Sequence, residues 1–194
     1  MRVSAMFLAI GGIVVSLTWD VRAELIEFEF SGQVEYLYQG VEVPHRWANV
    51  KVGDSWSLRY TFDSTTPAYP GTGDTTADYY SAIKSYTLRV GNVYLTSRSP
   101  DPGLIEVMND GYWDDSYTAA TGLSDGGWIS MYLGGPVTVW DSVALPLCGD
   151  IELDSFTKWA FCSIYVPDAS GSFQNYITGS ITAHVCGTKS RPSR

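Results

Sequence analysis

Basic residues are scarce. The chain of 194 residues has 12 Lys+Arg against 21 Asp+Glu, a formal charge of −9. That balance repels a phosphate backbone and an anionic lipid surface instead of releasing counterions from them, so nucleic acid and acidic membrane are poor partners. Charge of either sign is sparse at 17%, while 45% of the residues are hydrophobic. Intrinsic disorder and a Lys/Glu-rich coiled coil are therefore set aside. Histidine occurs only at His45 and His184, and no G-x-S-x-G, H-E-x-x-H, Walker or dinucleotide pattern is present. The commonest nucleophile, metalloprotease and nucleotide sites are thus unsupported. Cysteine occurs three times, without the C-x2-C spacing of a zinc site.

Long apolar runs are missing except at the start. Arg2 precedes seventeen uncharged residues, Val3 to Trp19, and then Val21-Arg22-Ala23. Seventeen helical residues span about 26 Å, short of the ~30 Å hydrocarbon core. The segment reads as a secretory signal peptide, 1–23, cut before Glu24. Cleavage takes away Arg2, Arg22 and Asp20 and leaves 171 residues with ten basic and twenty acidic side chains. The mature protein is then secreted, extracellular or periplasmic, and not an integral membrane protein. Its length suits one domain, 24–186, with a core of its own, followed by a polar, disordered tail, 187–194.

What the chain has in abundance is alternation. Ile26, Phe28 and Phe30 share one face of an extended segment, with Glu27 and Glu29 on the other. The period returns at Trp56–Phe62, at Tyr86–Val90, and over 177–185. There Ile177, Ile181, Ala183 and Val185 point one way, and His184 falls on the polar, solvent-facing side. Weaker strands are expected at Gln33–Tyr38, Asn92–Ser97, Leu104–Met108, Ser116–Thr121, Trp128–Leu133 and Phe156–Val166, separated by Gly, Pro, Asn and Asp turns. About ten short strands at this spacing predict an all-β fold, an antiparallel β-sandwich, jelly-roll-like. Only Asp78 to Ser85 has the make-up of a helical turn, with Asp78 as cap.

Cys148 and Cys162 would close a loop of about fifteen residues and are the pair expected to form a disulfide in an oxidising compartment, with Cys186 left over. Three loops concentrate oxygen ligands: Asp63 to Asp78, Asn109 to Asp115, and Gly149 to Asp154. Structural calcium is one reading of such loops, but none has EF-hand spacing, and Asp and Asn are ordinary turn formers. Turn chemistry is the expectation, with no cofactor. Six tryptophans and thirteen tyrosines remain after cleavage. Aromatic rings stack on sugar rings when exposed and fill cores when not. Trp56 and Trp159 lie in phase with apolar neighbours and read as core. Tyr112 and Trp113, in a polar loop beside Asp110, Asp114 and Asp115, are the candidates for carbohydrate binding.

The segment order also resembles a known group. Val52-Gly53-Asp54 stands before a strand ending Tyr60-Thr61-Phe62-Asp63-Ser64-Thr65-Thr66-Pro67; Tyr80-Ser81-Ala82-Ile83 leads into Leu88-Arg89-Val90-Gly91; Ile105 to Asp110 and Asp115-Ser116-Tyr117 follow, then Ala144-Leu145-Pro146-Leu147 and Leu153-Asp154-Ser155-Phe156. Over roughly 50–182 this is similar to uncharacterised bacterial exported proteins of the PEP-CTERM-associated type. The resemblance implies an exported β-sandwich linked to cell-surface or exopolysaccharide biology and transfers no catalytic residue. The Pro-Glu-Pro sorting signal of that group is missing after Ala183, where Cys186 to Arg194 stand instead. The expected function is therefore a secreted, non-catalytic sandwich that binds extracellular polysaccharide. A glycan-active hydrolase or lyase using Asp or Glu, and a structural matrix subunit pairing through edge strands, are the alternatives.

Overall fold

The computed structural model describes residues 9–10, 13–14, 24–39, 43–70, 73–97, 103–110, 114–168, 170–172 and 175–189. The signal-peptide expectation, 1–23, falls outside these apart from two short strands, β1 (Ala9–Ile10) and β2 (Ile13–Val14), which pair with each other. The remaining strands are β3 (Leu25–Tyr38), β4 (Ser55–Asp63), β5 (Thr76–Tyr80), β6 (Ile83–Val90), β7 (Val93–Ser97), β8 (Gly103–Met108) and β9 (Asp115–Gly122). They continue as β10 (Trp128–Gly135), β11 (Trp159–Val166), β12 (Asn175–Ser180) and β13 (Ala183–Lys189). A 3-10 turn, Leu153–Ser155, is the one helical piece among the described residues.

The fold is all-β and antiparallel, a sandwich made by one strongly curled sheet. Its pivot is β3, which at 14 residues is long enough to serve two layers. The first part of β3 lies between β4 and β13, and its end pairs with β12. One layer reads β13-β3-β4-β6-β7 and the other β5-β8-β9-β10-β11-β12-β3. The chain passes between layers at β4–β5, β5–β6, β7–β8 and β12–β13, and β8 to β12 run as a meander in chain order. Alternation places Phe28, Phe30, Leu58, Tyr60 and Leu88 of one layer against Ile105, Tyr117, Ile129, Met131 and Ile164 of the other. Tyr60 and Tyr117 join the layers by a hydroxyl–hydroxyl bond of 2.6 Å. Burial pushes both phenols up.

Four expectations are corrected. Asp78 to Ser85 is not a helical turn but the end of β5, a left-handed Ser81 (φ 58°) and the start of β6. Ala77 and Tyr79 are buried while Asp78 and Tyr80 face outward, a period of two that only a strand satisfies. The segment 177–185 is two strands, broken at Ile181 and Thr182, where the chain changes layers. The break reverses the phase, so Val185 is 64% exposed and His184 turns inward onto Phe28 and Phe30. The last strand reaches Lys189, three residues beyond the expected edge of the domain. Finally, the disulfide joins Cys148 to Cys186 (Cα–Cα 5.4 Å), and Cys162 is free. Cys162 lies mid-strand between Met131 and Gly179, pointing into the core, where no loop cysteine reaches it.

The layer change at β12–β13 depends on a glycine. A Cβ on Gly32 would fall 1.8 Å from the Ser180 carbonyl oxygen, which also accepts the Trp56 indole N–H at 3.0 Å. The long connection 136–158 then closes one end of the sandwich, burying Leu145, Ile151 and Phe156 in the common core. Tyr79 donates its hydroxyl to the Val143 carbonyl at 2.7 Å, and the disulfide fastens the same connection to β13.

Candidate functional site

Directly opposed residues in a sheet share a face, so the ladders of the second layer state what its outer surface carries. Trp128, Tyr165, Tyr176 and Tyr38 form one row across β10, β11, β12 and β3. Two residues along, the row is Ala120, Ser130, Ser163, Thr178 and Tyr36; the next contains Tyr132 and Phe161, and the last Gly134 and Trp159. The opposite phase, Ile129, Met131, Leu133, Cys162, Ile164 and Ile177, is core. Aromatic rows thus flank a low row of small side chains. Ser130, Ser163 and Ala120 are at most 5% exposed, whereas Trp159 is 44%, Phe161 37%, Tyr165 38%, and Tyr36 and Tyr38 each 49% exposed.

Each ring is held in place. A Cβ on Gly134 would lie 1.9 Å from Trp159 Nε1, so the indole rests on bare glycine backbone and could not do so on any other residue. Phe161 stacks on Tyr132 at 5.0 Å. Tyr176 lies 5.4 Å from Tyr38 in a parallel stack, 5.6 Å from Tyr36 and 6.4 Å from Tyr165. A hydrogen bond with Tyr36 is the main reason the Tyr176 phenol is raised. Trp128 donates its indole N–H to Ser130 Oγ at 2.7 Å. The tyrosines of β3 face outward because of an irregularity opposite Thr178 and Gly179, which pairs Tyr36 and Val34 with successive residues and leaves Glu35 over. That bulge reverses the phase of β3.

The same face carries acid at its far side. Asp78 and Glu106 are directly opposed on β5 and β8, and Glu106 is raised first by burial and then by the Asp78 charge and hydrogen bond. Of the sequence candidates, Tyr112 and Trp113 lie outside the described residues. Asp114 is 7% exposed and ion-paired to Lys158, the residue before Trp159, which ties that loop to the aromatic face. Asp110 adopts a left-handed turn (φ 53°), and its N–H donates to Asp115 Oδ1 at 2.8 Å. Asp115 is fully buried and also accepts the N–H groups of Val139 and Trp140 at 2.8 Å each.

The other oxygen-rich loops also show turn chemistry. Asp63 accepts Thr65 N–H at 3.0 Å, and Asp150 accepts Leu147 N–H at 2.6 Å. Among the described residues no group of three or more His, Cys, Asp or Glu is gathered to hold a metal ion.

Trp56 is core, 3% exposed, but Trp159 is not. The period misleads on β11 because both of its faces are apolar. The distinguishing signal is side-chain type: Ala160, Cys162, Ile164 and Val166 are small or aliphatic, whereas Trp159, Phe161, Ser163 and Tyr165 are aromatic or hydroxylated.

A recess of about 440 Å³ is lined by Ile151, Glu152, Leu153, Asp154, Thr182, Ala183 and His184. The His184 ring stacks on Phe30 at 4.5 Å and meets Phe28 edge-on at 4.9 Å. Burial lowers its pKa, opposed by a hydrogen bond with the backbone of Ile151. Because the folded value lies below the unfolded one, the unfolded chain binds more protons as pH falls through the ordinary imidazole range, and stability present above that range is lost below it. The melting temperature is expected to drop between pH 7.5 and 5.5, and to drop less in His184→Phe, with the recess carboxylates Glu152 and Asp154 unchanged in both. Parallel pH profiles for the two proteins would remove His184 from this role.

Among the described residues no helix is long and apolar enough to cross a membrane. No protein-family model, curated protein or solved structure matches the chain.

Proposed function

We propose that the protein is exported and binds polysaccharide outside the cell through the outer aromatic face of the second layer, without catalysis. The observation that carries this reading is Trp159, seated on Gly134 and 44% exposed, in line with Phe161 and Tyr165 on the same strand. An aromatic side chain this large is left in water by a folding chain that has room to bury it only at a cost, because its burial is a leading source of stability. Held rigidly on a sheet, it loses little entropy on meeting the apolar face of a sugar ring, while the hydroxyls of Tyr36, Tyr38, Tyr165 and Tyr176 supply hydrogen bonds to the rim. Export is supported by the leader pattern in 1–23, by the Cys148–Cys186 bridge and by the resemblance to PEP-CTERM-associated proteins.

Trp159→Ala is expected to weaken retention on a polysaccharide panel about tenfold or more, equivalent to at least ~1.4 kcal/mol, with Trp159→Phe between it and the wild type. Retention unaffected by Trp159→Ala, at an unchanged melting temperature, would end the reading. A hydrolytic role has one observation behind it, the raised Glu106 beside Asp78, which suits a general acid. Reducing-end release that disappears in Glu106→Gln is its test.

A further inference from the structure

We infer that the ligand is an extended glycan chain free of carboxylate, sulfate and phosphate, lying along β11. The inference rests on the glycan-binding reading and specifies its ligand.

Length points to a chain rather than a single sugar. Trp159, Phe161 and Tyr165 stand outward on one strand, and at ~3.3 Å per residue the first and last are about 20 Å apart. Ser163, 5% exposed, lies low between the last two rings. Tyr132 and Trp128 on β10 and Tyr176 on β12 border the line from either side. A single sugar touches one of these platforms, whereas a chain of several touches all three.

Charge points to a neutral chain. The outward positions of the second layer in the described ladders include Asp78 and Glu106 and no Lys or Arg. Glu35 stands exposed at the bulge in β3, and Lys158 beside Trp159 is bound to Asp114. Acidic polysaccharides are held by guanidinium and ammonium groups that pair with their anions. This face offers them acid instead, on a chain of net charge −9. Local charge decides the matter at physiological salt, where screening acts over about 8 Å.

The test uses the mature full-length protein on soluble neutral glycans (a β-glucan and a mannan) and acidic ones (polygalacturonate and alginate), at low and high salt, with oligosaccharides of increasing length. Expected are retention by a neutral glycan that salt leaves unchanged, no retention by the acidic ones, and an affinity that rises about tenfold or more from disaccharide to hexasaccharide. Tyr165→Ala should flatten that rise with length, and Trp159→Ala should weaken every length. Salt-sensitive, Trp159-dependent retention on an acidic glycan would overturn the assignment of ligand class and leave the site standing. Equal affinity for short and long oligosaccharides would overturn the extended mode. Retention on none of the panel would sink the underlying glycan-binding reading itself.

Discussion

Asp115→Ala is expected to cost roughly 3–6 kcal/mol, because the carboxylate is fully buried and its loss leaves the N–H groups of Asp110, Val139 and Trp140 without an acceptor. Against a typical domain stability of about 5–15 kcal/mol, that takes the protein close to unfolding. Asp115→Asn keeps the volume but turns a donor toward one of these N–H groups, so it should fall between alanine and the wild type. Urea denaturation followed by tryptophan fluorescence measures both. An unfolding free energy for Asp115→Ala within about 1 kcal/mol of the wild type would mean that the connection 136–158 does not depend on this carboxylate.

Cleaving the Cys148–Cys186 bridge is the second large perturbation. The cysteines are 38 residues apart, for which chain entropy gives about 4 kcal/mol and a fall in melting temperature on the order of 10 °C. Cys148→Ser and Cys186→Ser should each reproduce the effect of reductant, whereas Cys162→Ser should stay close to the wild type in its response to reductant. Burial pushes the Cys162 thiol up, so it should also resist alkylation in the native protein. Equal melting temperatures with and without reductant would show the bridge to be dispensable. Because Asp115 and the disulfide hold the same connection, their combined loss is expected to be less than additive.

Much of the fold is legible in the chain because a sheet with one wet face writes itself as a period of two. Ile26, Phe28 and Phe30, and Trp56 to Phe62, alternate cleanly and occupy the core. The candidate site is less legible for the same reason. On β11 both phases are apolar, so the period finds the strand and is silent on which side faces the core. Tyr36 and Tyr38 continue the inward phase of Phe28 and Phe30 until a bulge turns them out. His184 has the phase of a solvent-facing residue until the break at Ile181 and Thr182 turns it in. A one-residue irregularity exchanges the two faces of everything beyond it, and its location depends on the neighbouring strand.

By themselves the residues of this chain determine an acidic, antiparallel all-β protein whose core is built from alternate side chains, since local periodicity and turn chemistry act within a few residues. Only tertiary structure decides that Cys186 and not Cys162 reaches Cys148, that Trp159 rests on Gly134 in water, and that aromatic rows from distant segments share one outer face. Those outcomes depend on which distant strands become neighbours, and strand pairing is settled by the packing of the two layers as a whole.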